Sequence, residues 1–156
     1  MQVEELVKKY LEQINVMQLA TCSDDQPRAC TVHYYSDENL NFYWISTLAR
    51  KHSQDIKQNG KVAAAVLVHE NTPSENYVIG ISVEGVAELI GEHLDKKIGN
   101  GYVAKLGKDS NFLPDIASGK NPHKFYRLTP SKIVLFDNKN FPDSPRQELK
   151  LRSPND

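Results

Sequence analysis

The sequence is poor in the residues that mark disulfide-rich and metal-binding proteins. Its only cysteines, Cys22 and Cys30, fit no Cys-x-x-Cys metal or redox spacing. A hairpin would bring them close together, but two small buried thiols are the better interpretation for a chain in a reducing compartment. With 156 residues the chain is long enough to bury a core without disulfide or metal cross-links. We therefore expect one domain that spans residues 1–156.

Long apolar runs and a large net charge are also missing. No apolar run approaches the roughly 20 residues that span a bilayer, and the first residues, Gln2 to Glu5, include acidic side chains where a signal peptide is basic. The formal net charge of -1 produces no long-range field that would attract nucleic acid or an anionic membrane. We expect a cytoplasmic protein with neither partner, in which any affinity for phosphate comes from a local cluster of charges.

The motifs of the common catalytic and cofactor sites are absent from the sequence. The five histidines show no metal-ligand spacing, which predicts that no metal is bound. No Gly-x-Ser-x-Gly turn or cysteine signature marks a nucleophile. No glycine-rich phosphate loop or dinucleotide fingerprint is present. A motif therefore identifies no catalytic residue.

What the sequence does contain is one helix followed by a series of strands. Apolar residues recur at three- and four-residue steps from Val3 to Ile14, which predicts an amphipathic helix that packs on the core. Three strands follow, with the sequences MQLATCS, RACTVHYY and LNFYWIS, and the turns between them predict an antiparallel meander. A helix from Leu48 to Gln58, capped by Thr47, leads into KVAAAVLV, an unbroken apolar run that predicts a strand buried on both faces.

The second half of the chain continues the antiparallel pattern. A long strand, YVIGISVEGVAELI, carries glycines of the kind that mark bends or bulges in barrels. Residues 91–107 are predicted to be helical, and KFYRL and KIVLFD are the last two strands. The polar, proline-punctuated residues 138–156 are predicted to form a loosely ordered tail. About six strands in one antiparallel series, with helices at the start and in the crossovers, predict a small closed or partly closed barrel.

A basic step after the third strand is the strongest candidate for a binding site. Ser46 and Thr47 end that strand, and Arg50 and Lys51 lie in the first turn of the predicted helix. A helix N-terminus binds phosphate or carboxylate through its unpaired N–H groups. Basic side chains in that turn oppose the helix dipole unless an anion compensates them. These residues alone leave two interpretations open, an anion site or a solvated helix end.

The second strand offers further candidates at its two ends. Arg28 opens this strand and would converge on the same anion if the strand lies beside the third one. His33, Tyr34 and Tyr35 at the other end would then line a planar ligand. The alternative is a surface arginine together with half-buried aromatic residues that fill the barrel.

The order of these features resembles a known superfamily. The stretch LATCSDDQPRACTVHYYSDENLNFYWISTLARKHSQDIKQNGKVAAAVLV is similar to the pyridoxamine 5′-phosphate oxidase-like, FMN-binding split β-barrel proteins. ISVEGVAELIG is similar to the next strand of that superfamily, and KFYRLTPSKIVLFDN to its closing hairpin. The resemblance covers residues 16–138, and IVLFDNKNFPDSPRQEL is most similar to a small uncharacterised bacterial branch.

This resemblance implies a fold, a cofactor and a set of contact residues. The implied fold is mainly β, an antiparallel six-stranded split β-barrel with an N-terminal helix and short crossover helices. The implied assembly is a homodimer with FMN at the subunit interface; some relatives use a deazaflavin or haem instead. By position, the resemblance places Arg50 and Lys51 on the FMN phosphate and Ser46 and Thr47 on the phosphate or flavin. It places four residues along the flavin: Arg28, Thr31, Val32 and His33.

The activity that the resemblance implies is that of an FMN-dependent oxidoreductase acting on an unidentified small molecule. The alternative is a non-catalytic flavin- or haem-binding dimer that acts as a carrier or sensor. The stretch after Asp137 lacks the Arg-x-His/Arg pattern of pyridoxamine 5′-phosphate oxidase itself, and the sequence has no evident basic cluster for a second phosphate. Oxidation of pyridoxamine phosphate is therefore not implied.

Overall fold

A single curled antiparallel sheet forms the centre of the protein in the computed structural model, which describes residues 2–151. Its strands are β1 (Val16–Ser23), β2 (Gln26–His33), β3 (Tyr35–Ser36), β4 (Phe42–Ser46), β5 (Lys61–His69), β6 (Ile79–Gly91), β7 (Lys124–Asp137) and β8 (Arg146–Leu149). The strand order is β2-β1-β5-β6-β7-β4-β3, and β8 pairs with β7. The predicted mainly β split barrel is confirmed. The described residues form eight strands rather than six, because β3 and β8 are too short to show a period of two in the sequence.

Four helices accompany the sheet within residues 2–151: α1 (Val3–Gln13), α2 (Lys51–Gln58), α3 (Lys96–Leu106) and α4 (Phe112–Ser118). The predicted N-terminal helix is confirmed, since α1 buries Leu6, Val7, Tyr10 and Leu11 against the core. The predicted helix at 91–107 corresponds to α3. The sequence analysis did not predict α4, because its seven residues make only two turns and include a proline. None of the helices among these residues is long and apolar enough to cross a membrane.

The predicted three-strand meander is wrong. β2 pairs only with β1 within the described sheet, whereas β4 pairs with β7, with Ser46 opposite Lys124. A left-handed residue at Leu40 (φ 63°) and the two-residue strand β3 redirect the chain between β2 and β4. The two strands nevertheless contact each other, because the sheet curls until they face across the opening of the barrel. We call this opening the split.

Strand β5 is not buried on both faces as predicted. Val62, Ala64 and Val66 point into the core, while Ala65 and Leu67 are exposed on the outside. Leu67 lies opposite Gly80 of β6, and Gly80 lies opposite Phe136 of β7, so the two large side chains flank a residue that has none. The apolar run KVAAAVLV is unbroken because β5 is apolar on both faces, of which one packs in the core and the other lies on the outside of the sheet. We call Ala65, Leu67, Val86 and Phe136 the outer apolar face.

The last two predicted strands are one strand, β7, which bends at a bulge near Pro130. Gly85 pairs with Pro130 and Glu84 with Lys132, so one residue of β7 is left without an opposite partner. A proline in this position is compatible with a bulge because it has no N–H for the ladder. Part of the predicted tail forms β8, which pairs with β7 from Ile133 to Phe136. Residues 152–156 of the predicted tail lie outside the described residues.

The two cysteines are free and half-buried. In the β1–β2 register, Cys22 lies opposite Pro27 and Cys30 opposite Leu19. The hairpin therefore does not place the two thiols across from each other.

Candidate functional site

A cavity of about 600 Å³ opens at the split and gathers most of the predicted site residues. Such a volume falls within the range of small-molecule sites, roughly 300–1,000 Å³. Its lining comes from β2 (Cys30, Thr31, Val32, His33), from the end of β4 (Ile45, Ser46), from the start of α2 (Arg50, Lys51, His52) and from the opposite wall (Tyr102, Lys108, His123). Of the predicted site residues, four are not in this lining: Arg28, Tyr34, Tyr35 and Thr47.

The helix start lies three residues later than predicted. α2 begins at Lys51, and Arg50 rather than Thr47 occupies the N-cap position. The chain from Thr47 to Arg50 forms a turn instead, in which the N–H of Arg50 donates to the carbonyl of Thr47 at 3.2 Å. No side chain caps the helix, so the backbone N–H groups of its first turn have no capping acceptor. This uncapped end lies at the cavity.

The charged side chains in the cavity lining are of one sign. The lining includes the cations Arg50, Lys51 and Lys108 and no aspartate or glutamate. Arg50 is exposed and has no ion pair or side-chain hydrogen bond with any residue in the described part of the chain. Fixed positive charge beside an uncapped helix start favours an anionic ligand, although the whole chain carries a net charge of only -1.

A buried carboxylate behind the cavity fixes two of the basic residues. Asp55 of α2 is fully buried and accepts hydrogen bonds from Thr21 at 2.8 Å and Ser23 at 2.6 Å. The Arg28 guanidinium lies 3.0 and 3.1 Å from its two oxygens, and the Lys51 ammonium lies 3.7 Å away. Burial on its own raises the pKa of Asp55, but the hydroxyl and guanidinium donors outweigh it and hold that pKa below its usual range.

The Asp55 contacts explain where Arg28 lies. Its guanidinium is directed at the buried carboxylate rather than into the cavity, so it ties β2 to α2. Lys51 differs, because its side chain is 52% exposed and also lines the cavity. Sequence reasoning did not identify Asp55, since an aspartate in the middle of a short polar helix normally faces solvent.

His52 is a site residue that sequence reasoning left out. Its Nε2 lies 2.8 Å from Ser46 Oγ, and Ser53 Oγ donates to Ser46 Oγ at 3.0 Å. Burial lowers the pKa of the imidazole, and the neighbouring Arg50 lowers it further, while Asp55 acts in the opposite direction. These effects favour the neutral imidazole, in which the Ser46–His52 hydrogen bond runs in either direction according to which ring nitrogen carries the proton. Its position directly after two basic residues at a helix start was the available signal.

The opposite wall of the cavity was not predicted either. Tyr102 is buried, stacks on Phe112 with ring centroids 5.7 Å apart, and meets Phe125 edge-on. His123 Nδ1 lies 2.7 Å from the side-chain oxygen of Asn121, which orients the imidazole. These residues lie far along the chain from β2 and β4, and no local pattern connects them. Among residues 2–151, no three His, Cys, Asp or Glu side chains converge to form a metal site.

Comparison with known proteins agrees with this architecture. The family model described as pyridoxamine 5′-phosphate oxidase matches residues 3–136. A search of curated proteins finds no match. A conserved hypothetical protein from Mycobacterium tuberculosis is similar with 14% identity and a TM-score of 0.71, covering 100% of this chain and 96% of that one.

Two further similar structures are of proteins whose names mention FAD or haem. A FAD-binding protein from Mesorhizobium loti has 20% identity and a TM-score of 0.64, covering 85% of this chain and 90% of that one. The haem storage protein HutZ from Vibrio cholerae has 14% identity and a TM-score of 0.62, covering 85% and 94%. At these identities the structures show a shared fold, and the family-model match covers most of the sequence. The chain belongs to the pyridoxamine 5′-phosphate oxidase family.

Proposed function

We propose that this protein binds FMN at the split and acts as a flavin-dependent oxidoreductase on a small molecule. The observation that carries the proposal is the cavity itself, in which Thr31, Val32, His33, Ser46, Arg50 and Lys51 converge, with three fixed cations and no carboxylate in the lining. A phosphate dianion needs such convergent donors. Family membership and the similar fold of a FAD-binding protein support the same cofactor class.

The residues present fit FMN at both of its ends. Arg50, Lys51 and the uncapped first turn of α2 would hold the phosphate, and the exposed Arg50 is free to do so. β2 is an edge strand, so alternate backbone N–H and C=O groups along Thr31 to His33 point away from β1 and are available to the edge of the flavin ring. Bound FMN supplies hydride- or electron-transfer chemistry. The protein contributes binding and orientation.

The phosphate assignment is tested by removing the two basic residues together. Each charge-assisted hydrogen bond contributes about 1.5–3 kcal/mol, so Arg50→Ala with Lys51→Ala, which removes at least two, should weaken FMN binding by at least about 100-fold. Riboflavin, which lacks the phosphate, should bind both proteins equally. The matched control is Lys57→Ala with Lys61→Ala, which removes two exposed lysines outside the cavity. FMN titrations followed by flavin fluorescence provide the measurement. An unchanged FMN affinity would show that the phosphate lies elsewhere.

We further propose a homodimer in which the outer apolar face is buried and the cofactor lies at the subunit interface. Leu67 and Phe136, which flank Gly80, are 59% and 40% exposed in the single chain, and Val86, farther along the same side of β6, is 54% exposed; exposure of such large apolar side chains is costly. Leu67→Glu with Phe136→Glu should shift the protein to monomers in analytical ultracentrifugation. The control Ala104→Glu changes an exposed residue of α3 and should leave the assembly intact. A wild-type monomer would contradict the proposal.

The second candidate function is a non-catalytic carrier or sensor that binds flavin or haem. Three histidines, His33, His52 and His123, line the cavity, and imidazole is a common axial ligand of haem iron. The haem storage protein of Vibrio cholerae shares the fold. A Soret band that disappears when one of these histidines is replaced would favour haem. FMN that binds but is not reduced by nicotinamide nucleotides would favour the carrier.

A further inference from the structure

His52 lies between the basic residues of α2 and a buried pair of hydroxyl groups. Its Nε2 is 2.8 Å from Ser46 Oγ, which also lies 3.3 Å from the carbonyl oxygen of Thr47 and receives a hydrogen bond from Ser53. The ring is half-buried and lines the cavity next to Arg50 and Lys51. His52 therefore contacts the scaffold on one side and the ligand space on the other.

This hydrogen-bond arrangement suits both protonation states of the imidazole. When His52 is neutral with its ring proton on Nδ1, Ser46 donates its hydroxyl proton to Nε2. When His52 is protonated, Nε2–H donates to Ser46 Oγ, and the hydroxyl proton turns to the carbonyl of Thr47. The bond from Ser53 to Ser46 is retained in both states. His52 can gain a proton by rotation of one hydroxyl group, without displacement of a heavy atom.

Without an anion the neutral state is favoured, because burial and the Arg50 charge both lower the pKa of His52. A dianion held by Arg50 and Lys51 would cancel that repulsion and attract a proton to the ring. We propose that His52 is a proton-coupled positioning residue of the phosphate site: binding of a phosphate dianion places a proton on His52. This proposal rests on the function proposed above and adds to it a dependence of cofactor affinity on pH.

Other charged and titratable groups lie around His52. The charged and titratable side chains that face this region are Cys30 and His33 on β2, Arg50, Lys51 and the buried Asp55 on α2, and Tyr102, Lys108 and His123 on the opposite wall. The FMN phosphate itself changes charge near pH 6. The pH dependence of the wild-type protein alone therefore does not isolate His52. The difference between the wild type and a His52 variant does, because every other titration is common to both.

The experiment compares the wild type, His52→Gln and the control His93→Gln, which replaces an exposed histidine outside the cavity. FMN and riboflavin affinities are measured by fluorescence titration from about pH 6 to about pH 8, the range in which histidine titrates. If the phosphate raises the His52 pKa by one unit, the wild-type-to-His52→Gln ratio of FMN affinities should grow about three- to sixfold from the higher to the lower pH, because the free pKa lies below its ordinary value and the full tenfold is reached only below both pKa values. Calorimetry in two buffers of different ionisation heat should show greater proton uptake by the wild type.

Four outcomes decide the proposal. A ratio that grows as pH falls for FMN but stays constant for riboflavin, with His93→Gln equal to the wild type, supports it. A constant FMN ratio, or equal proton uptake by the wild type and His52→Gln, overturns it while FMN binding itself stands. Failure of the wild type to bind FMN at any pH overturns the proposed function and this inference together. Circular dichroism shows whether His52→Gln folds. If it does not, NMR titration of the His52 ring in the wild type, with and without FMN, replaces the variant. A ring pKa that FMN leaves unchanged then overturns the proposal.

Discussion

Replacement of Asp55 by asparagine tests whether its carboxylate holds the site together. Asp55→Asn keeps the size of the side chain but leaves the Arg28 guanidinium without the anion that it contacts at 3.0 and 3.1 Å. Breaking a buried pair costs about 3–5 kcal/mol, and we expect about 3 kcal/mol here because the Arg28 side chain is one-third exposed and water screens it in part. In a chain of this size the loss corresponds to a fall in melting temperature of about 6–12 °C.

Urea denaturation followed by tryptophan fluorescence measures this loss directly. The sequence has one tryptophan, Trp44, which is fully buried and stacked on Tyr126. The control is Asp25→Asn in the exposed β1–β2 turn, where asparagine tolerates the positive φ of 60° and the change should stay within about 0.5 kcal/mol. A loss below about 1 kcal/mol for Asp55→Asn would mean that the carboxylate does not stabilise the fold as an ion.

The ionisation of Asp55 also makes the free energy of unfolding depend on pH. The pKa of Asp55 is lower in the folded protein than its ordinary value, so its contribution is complete above that ordinary value, about 3.9. As pH falls through the folded pKa, the carboxylate is protonated and the contribution is lost. The wild type should therefore lose its stability advantage over Asp55→Asn in this acidic range. A constant difference between the two proteins down to the lowest pH would contradict the linkage.

Further predictions concern the frame that positions the cavity. Gly85→Ala should destabilise the protein by about 1–3 kcal/mol in urea denaturation, because a Cβ there would clash with the carbonyl oxygen of Thr129, a backbone atom. Gly80→Ala on the same strand should be close to neutral, since its nearest neighbour is at 3.7 Å; equal effects would contradict the bulge argument. Lys105→Met should cost about 1–3 kcal/mol in the same assay, because three backbone carbonyls that accept from its ammonium, including that of Tyr34 at 3.1 Å, would lose their donor. A neutral Lys105→Met would show that water replaces this donor.

Local patterns in the sequence predicted the elements that are defined by nearby residues. The apolar period from Val3 to Ile14 identified α1, and β-branched residues between turns identified β1 and β2. Arg50 and Lys51 were recognised because a helix start and its charges lie within a few residues of each other. These features depend on φ and ψ preferences and on side-chain spacing, and both are determined by residues that are close together in the sequence.

Features that depend on distant pairing were not predictable in the same way. The partner of β4 is β7, some 80 residues along the chain, and no pattern in LNFYWIS distinguishes that partner from β2. Lys108 and His123 reach the cavity only because α3, α4 and the start of β7 fold back over the split. The direction of Arg28 depends on Asp55, which a local reading assigns to solvent. Resemblance to a family provided the overall topology without providing these contacts.

The visible absorbance spectrum of the purified protein tests whether the cavity at the split holds FMN. The protein, as purified or after incubation with FMN and gel filtration, should show the flavin absorbance bands with one FMN per chain. The double variant Arg50→Ala with Lys51→Ala should lose most of that absorbance after the same filtration. A wild-type protein that stays colourless and takes up no FMN would show that the cavity at the split does not hold this cofactor.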